Sequence, residues 1–402
     1  MIPIARPTLD ADDAQAAQRV ILSGWLSQGP EVAAFEEEFA GFVGARHACA
    51  VSNCTAALHL ALLAVGVRPG DEVVTVSHSY IATANAIRFC GGWPVFVDID
   101  PLTFNMDATK LERAITPNTR AILCVHQMGM PCDLPAILSV ARAHGLPVVE
   151  DAACAIGSDI KLDGEWRRIG RPAGDVVCFS FHPRKVMTTG DGGMLTTDTP
   201  EWDRLFRLWR QHGMSVSDVV RHASPQVTFE TYPIVGYNYR MTDIQAAVGR
   251  NQLRRLPDLV ARRRDLAQRY RARLSQIAEV TAPYQPAWAR SNWQSYCVRL
   301  PAGAEQRAVM QLMLDNGVAT RRGIMCAHLE EAYSGLEPRF SLVHSEQAHR
   351  GCILLPLYAD MTDAEQQRVV DVFGEACRMA VREKPVEQSS GRVGFARRVA
   401  TG

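Results

Sequence analysis

The chain has 402 residues, enough for two or three domains, and 47% of them are apolar, ample for a sizeable core. Lysine plus arginine equals aspartate plus glutamate at 43 each, so no excess charge draws the protein to nucleic acid or an anionic membrane. The eleven cysteines are scattered without a Cys-x-x-Cys pair, no apolar run nears the roughly 18 residues of a membrane span, and no signal-peptide core opens the chain. A cytoplasmic protein with free thiols is expected.

In chain order, residues 10–22 carry a helical pattern opened by Asp10. A turn-rich loop, Gly24 to Pro30 with Trp25, precedes a second helix over 31–43. Residues 47–51 read as a strand, and Thr55 opens an apolar helix over 56–65. Strand 72–76 ends at Ser77-His-Ser-Tyr80, followed by a helix over 82–90. Strand and helix then alternate at 94–98, 107–115, 120–126, 133–144 and 147–151. Repeated βα units predict a mostly parallel sheet with helices on both faces, and ligands in such sheets lie beyond the carboxyl ends of the strands. Thr55, Tyr80, His126 and Asp151 all follow strand ends.

Residues 158–169 read as a hairpin turning at Leu162-Asp-Gly-Glu165. The apolar run 176–179 ends in Ser180, His182 and Lys185, and a further run begins at Gly192, so Lys185 sits on a tight connection between strands. A loop lysine alone is ordinary. Its weight comes from strand 147–151, which ends in Glu150 and Asp151. A lysine that holds pyridoxal phosphate as a Schiff base needs a partner carboxylate at the ring nitrogen, because the protonated ring draws electrons well. Two strand ends can supply both groups.

Beyond the lysine a helix is expected over 201–211 and a long polar loop over 213–231. A helix capped by Thr242 or Asp243 follows, and then a basic helical stretch over 254–273, read as a solvated face. The pattern restarts with strand 295–300, helix 304–316, strands 318–321 and 352–357, and helix 362–379. The expected division is an N-terminal arm and substrate loop (1–30), a large domain (31–254), a connecting helix and linker (255–291), a small α/β domain (292–382) and a disordered tail (383–402).

Ser180-Phe-His-Pro-Arg-Lys185 with Thr189-Gly-Asp-Gly-Gly193, Glu150-Asp-Ala-Ala153, Ser52-Asn-Cys-Thr-Ala-Ala-Leu-His59 and the run Gly236 to Ala246 resemble the DegT/DnrJ/EryC1/StrS aminotransferases. The motifs occur in that family's order, over about residues 3–373. The resemblance implies pyridoxal-phosphate fold type I and transfer of an amino group from glutamate or glutamine to a keto-sugar, most often nucleotide-linked. Lys185 would carry the cofactor and Asp151 would hold its ring nitrogen. Tyr80 and Cys154 would flank the ring, and Thr55, Ala56, Ser180 and the partner chain's Asn238, with Arg240, would bind phosphate in a homodimer with shared active sites. Trp25, His182, Arg321 and His328 fall where relatives contact substrate, and no metal is implied. Cys154 stands where the family often has His or Gln, and Cys54 where it often has Gly. Both are departures.

Sugar dehydratases of the same family replace the lysine with histidine, which does not match Lys185. Relatives that aminate cyclitols (inososes) or form an aminobenzoate share these motifs and stay open, as does a non-catalytic regulator. A nicotinamide oxidoreductase would need Gly-x-Gly-x-x-Gly after the first strand, and Val51-Ser-Asn-Cys-Thr lacks it. Near a cationic ring, the expected pKa of the buried lysine is lowered.

Overall fold

Short apolar runs between polar turns become the strands of one large sheet in the computed structural model, which describes residues 1–216, 221 and 224–380. Helices α1 (Ala11–Ser23) and α2 (Pro30–Val43) lead into β1 (His47–Val51), α3 (Cys54–Ala64), β2 (Glu72–Val76), α4 (Ala82–Phe89) and β3 (Trp93–Val97). Then come β4 (Thr119–Val125), α5 (Leu134–Ala143), β5 (Val148–Asp151), the hairpin β6 (Asp159–Leu162) and β7 (Glu165–Arg168), β8 (Val176–Ser180), β9 (Gly193–Thr197) and α6 (Pro200–Trp209). The sheet runs β1-β9-β8-β5-β4-β2-β3. Strands β8, β5, β4, β2 and β3 are parallel, and β9 is antiparallel to both its neighbours.

The strands are mostly apolar because both faces are covered. Val74, Ile122 and Phe179 pack with Phe35, Phe39 and Ile137 on one face. Val73, Leu123 and Cys178 pack with Leu58, Ala61 and Phe206 on the other. The predicted hairpin forms, with Asp163 and Gly164 at φ 51° and 85° as a tight two-residue turn requires. The helix expected over 107–115 is instead two 3-10 turns, Ala108–Lys110 and Glu112–Ala114. Asp107 caps the first through the Thr109 amide, a local bond that competes with a continuous helix.

The rest of the chain is α7 (Asp243–Leu274), β10 (Ala289–Arg290), β11 (Tyr296–Arg299), α8 (Gln306–Asp315), β12 (Arg321–Arg322), α9 (Val343–Gly351), β13 (Cys352–Leu355) and α10 (Asp363–Ala380). Strands β11, β13 and β12 form an antiparallel sheet with its own core of Tyr296, Val309, Ile353 and Phe373. The boundary expected at residue 254 falls inside α7, which runs unbroken for 32 residues, about 48 Å. Thr242 is its N-cap, with Gln245 completing a capping box. Asp243 instead caps α2, accepting the amides of Gly29 at 2.7 Å and Val32 at 3.0 Å. The tail 383–402 and part of the loop 213–231 lie outside the described residues.

The basic stretch of α7 is not simply solvated. Arg263 is buried and gives its guanidinium to the carbonyls of Trp293 (3.0 Å), Gln294 (2.7 Å) and Leu357 (3.1 Å). Burial pushes its pKa down to about 10. Arg264 reaches the carbonyls of Ser291 and Arg290. Together they fix the segment 290–294, which holds the cavity described next.

Candidate active site

The carboxyl ends of β2, β4, β5 and β8 and the start of α3 open into one cavity of about 940 Å³. Thr55, Ala56, Tyr80, Asp151, Cys154, Ser180, His182, Lys185 and Arg321 all line it, so motifs up to 266 residues apart converge on one space. Strand β12 and the segment Gly323 to Met325 also line it.

Neighbouring residues of a strand face opposite ways, and this separates the two carboxylates at the end of β5. Glu150 turns from the cavity, accepting the His126 Nε2–H at 3.0 Å and the Gly174 amide at 2.9 Å. His126 Nδ1 takes the Cys132 amide hydrogen at 3.0 Å, which leaves Nε2 to carry the hydrogen that faces Glu150. Asp151 turns into the cavity. Its Oδ2 accepts the Thr83 hydroxyl at 2.8 Å and its Oδ1 the Ala153 amide at 3.1 Å. Burial raises its pKa against the pull of these donors and of Lys185.

Lys185 closes a turn in which its amide donates to the His182 carbonyl at 2.8 Å. The Arg184 amide donates to His182 Nδ1 at 3.2 Å, and Gln294 donates to the Arg184 carbonyl at 2.8 Å. Asn292 holds the neighbouring strand exit through the carbonyls of Cys154 (2.8 Å) and Ile156 (2.7 Å). The lysine amine donates to Cys154 Sγ at 3.1 Å. Burial pushes its pKa down, but Cys154, Cys54 and Asp151 outweigh burial, and the net direction is up. The lowered lysine expected from the sequence is thus not a property of the protein's own groups. Only an added positive charge nearby would reverse the sign.

Glycine in Thr189-Gly-Asp-Gly-Gly193 has a packing reason at its last position. A Cβ on Gly193 would lie 2.5 Å from the Asn53 carbonyl carbon and 2.8 Å from the Cys54 nitrogen, so only glycine lets β9 pass the start of α3. That start is capped by Asn53, whose Oδ1 accepts the Ala56 amide at 2.9 Å. Asn53 is therefore the N-cap, and Thr55, two residues on, lines the cavity. Asparagine directly before an apolar helix is a cap signal that the sequence carries.

The residues fit pyridoxal phosphate. Asp151 is a buried carboxylate held by neutral donors, and a cationic ring nitrogen is the partner it lacks. Lys185 lines the same cavity, and the α3 N-terminus with Thr55 and Ser180 offers donors to a phosphate.

Two expected substrate residues lie elsewhere. The Trp25 indole donates to the Gln28 carbonyl at 3.2 Å beside the start of α2. His328 sits behind β2, with Nδ1 2.6 Å from the Ser77 hydroxyl and its amide on the same oxygen. Neither lines the cavity. Asn238 and Arg240 do not line this chain's cavity either, and Asn238 bridges to Gln211. Conversely, Thr83, Arg184, Asp191 and Gln294 line the cavity without having been singled out.

A profile of the DegT/DnrJ/EryC1/StrS aminotransferase family matches residues 7–373. The spore coat polysaccharide biosynthesis protein SpsC of Bacillus subtilis is 38% identical over 388 residues, 94% of this chain and 98% of its own. GDP-perosamine synthase of Caulobacter vibrioides is 39% identical over 373 residues, 92% and 96% of the two chains. Among solved structures, the aminotransferase TlmJ of Streptoalloteichus hindustanus matches with a TM-score of 0.85 at 36% identity, covering 94% of this chain and 99% of that one. A pyridoxal-phosphate form is among the solved relatives. The protein is a pyridoxal-phosphate-dependent aminotransferase of fold type I. The chain belongs to the DegT/DnrJ/EryC1/StrS aminotransferase family.

Proposed function

We propose that this aminotransferase moves an amino group from glutamate to a keto-sugar carried on a nucleotide diphosphate, as a cytoplasmic homodimer with shared active sites. The observation that carries the reading is the single cavity of about 940 Å³, whose lining brings Lys185 and Asp151 together with Arg321 and Arg322. Such a space suits a substrate much longer than an amino acid. Relatives named for spore coat polysaccharide and for perosamine support a sugar acceptor.

When bound, pyridoxal phosphate supplies an electron sink for breaking the bond between the donor's α-carbon and its hydrogen. Asp151 keeps a proton on the ring nitrogen, and Thr83 and the Ala153 amide aim its carboxylate. The Lys185 amine would take the proton from the donor's α-carbon, with Cys154 at 3.1 Å setting its direction. Tyr80 is 66% exposed within its own chain, a flat face free to stack on a ring.

Asn238 and Arg240 act in the neighbouring subunit's phosphate site on this reading. The segment before them supports it: Val227, Phe229 and Val235 are 85–87% exposed, apolar surface that a second copy would cover. The eleven cysteines are free and ten are buried, which suits a reducing compartment. Among the described residues no helix is long and apolar enough to cross a membrane.

Purified protein mixed with pyridoxal phosphate is expected to gain the visible absorbance of a lysine Schiff base, bleached by glutamate or glutamine. Lys185→Ala is expected to lose both. Protein that stays colourless sinks the reading, and reverse transamination of amino-sugar nucleotides against amino-inositols, read by mass spectrometry, decides the acceptor.

A further inference from the structure

Ten of the eleven cysteines are buried, and Cys154 is the one that is not. It lines the cavity, so a small reagent entering from solvent meets this thiol. Cys54 also belongs to the lining, but it is buried. Cys154 Sγ touches a second nucleophile as well, the Lys185 amine at 3.1 Å. An amine in contact with a reachable thiol has chemistry that neither group has alone.

The fold builds this contact. Strands β5 and β8 are parallel neighbours in the sheet, so the chain leaves both at the same edge. Beyond β5, the Cys154 carbonyl is held by Asn292 at 2.8 Å. Beyond β8, the Lys185 amide is tied to the His182 carbonyl at 2.8 Å, and Gln294 holds the Arg184 carbonyl at 2.8 Å. The two side chains therefore meet from anchored backbone, and rotation about their own single bonds is enough to bring nitrogen and sulfur from contact to bonding distance.

We infer that Cys154 is a site of modification by peroxide, and that its product, when no cofactor holds Lys185, is an N–S bond between these two side chains. In the first step peroxide gives one oxygen to Sγ and is reduced to water, and the thiol is oxidised to a sulfenic acid. The lysine amine then attacks the sulfur. The N–S bond forms, the S–O bond breaks, and the hydroxyl leaves as water with a proton from nitrogen. Two molecules of a thiol reductant reverse the step: the first attacks sulfur and frees the amine, and the second frees the Cys154 thiol and leaves as the reductant's disulfide. The attacking amine must be neutral. Burial pushes the Lys185 pKa down and Cys154 heads the groups that hold it up, a hold that a neutral sulfenic acid no longer exerts. The result is a reversible block: a linked lysine cannot take pyridoxal phosphate, and a linked sulfur is kept from the higher, irreversible oxidation states.

The test treats full-length protein with hydrogen peroxide, once free of cofactor and once loaded with pyridoxal phosphate, and reads the digests by mass spectrometry. Cofactor-free protein is expected to give a peptide linked through Cys154 and Lys185, lighter than its two parts together by two hydrogen atoms. Its uptake of cofactor, followed by Schiff-base absorbance, should fall in proportion to the linked fraction, and a thiol reductant should restore it. Loaded protein is expected to give no linked peptide, with Cys154 carrying oxygen instead. Cys154→Ser should give no link and take up the same amount of cofactor before and after peroxide. Cys54→Ser should link as wild type does, which separates the N–S bond from a Cys54–Cys154 disulfide of the same mass change. Cofactor-free protein in which Cys154 gains oxygen or pairs with Cys54, while Lys185 stays free, overturns the inference, as does equal linking with and without cofactor. The linked peptide is read without turnover, so its absence leaves the aminotransferase reading untouched, and failure of a keto-sugar screen leaves the link standing.

Discussion

Two charged clusters flank the start of this fold and are built on opposite plans. Under α2, Glu36 accepts the Ala50 amide at 2.9 Å and the guanidinium groups of Arg207 and Arg210, which also bind the carbonyls of Ala48 and Ala50. Every charge there meets its opposite, and although burial pushes the Glu36 pKa up, the two arginines bring it below the ordinary carboxylate value. In the cavity, Asp151 is held by neutral donors and its pKa is raised, and among the described residues neither Arg184 nor Arg321 has an acid partner. The first cluster is complete within the chain and serves stability. The second is incomplete, and its unmet charges describe a ligand that carries a cationic group for Asp151 and an anionic one for the arginines.

The largest effect expected from breaking this contrast is at Asp151. Asp151→Asn keeps the shape and the Thr83 bond but removes the charge that holds a proton on the ring nitrogen. The donor half-reaction, followed by bleaching of the Schiff-base absorbance, is expected to slow about 100- to 1000-fold, corresponding to about 3–4 kcal/mol. Thermal stability of the cofactor-free protein should hold or rise, because a raised carboxyl pKa marks a charge that opposes folding. A slowing below fivefold would show that Asp151 does not serve the ring.

Glu36→Gln should do the reverse, leaving the half-reaction rate of the folded enzyme intact while stranding two arginines, of which Arg210 is buried. The expected loss is about 3–5 kcal/mol of unfolding free energy near neutral pH. The sign with pH follows from the depressed folded pKa. The stabilisation by Glu36 is fully present above the unfolded carboxyl value of about 4.3 and disappears as pH falls through the lower folded value. The gap between wild type and variant in urea unfolding should therefore narrow below about pH 4. A gap independent of pH would mean that packing, rather than charge, carries the effect.

How much of this was legible in the sequence depended on the range of the interaction concerned. The strands were readable because burial on both faces makes them continuous apolar runs, and the tight turn at Asp163-Gly164 because few residues accept positive φ. Lys185 and Asp151 were readable as strand-end groups. Thr83 was not, because what gives it a role is a hydrogen bond across the fold to Asp151. The basic run of α7 hid one buried member, Arg263, whose carbonyl partners lie 30 to 94 residues away. Helix α9 escaped notice because polar residues fill most of it, and its N-terminus is held by Asp98, which accepts the amides of His344 at 2.9 Å and Ser345 at 2.8 Å. That Arg184 and Arg321 lack acid partners among the described residues is a fact about three dimensions only.

The smallest expected effect lies where the two plans meet, at the start of α3. Asn53 Oδ1 takes the Ala56 amide, a donor that a cofactor phosphate at the same helix end would also use. Asn53→Ala should therefore cost about 1 kcal/mol in cofactor-free protein, the usual loss of a cap. With pyridoxal phosphate bound, the phosphate can satisfy the freed amide, and the cost should shrink by about half or more in melting curves of the two forms. If the loss is the same with and without cofactor, the phosphate does not reach this helix end and the roles carried over to Thr55 and Ala56 fall with it. If the loss grows on loading, Asn53 itself holds the phosphate, and the cap belongs to the binding site as well as to the fold.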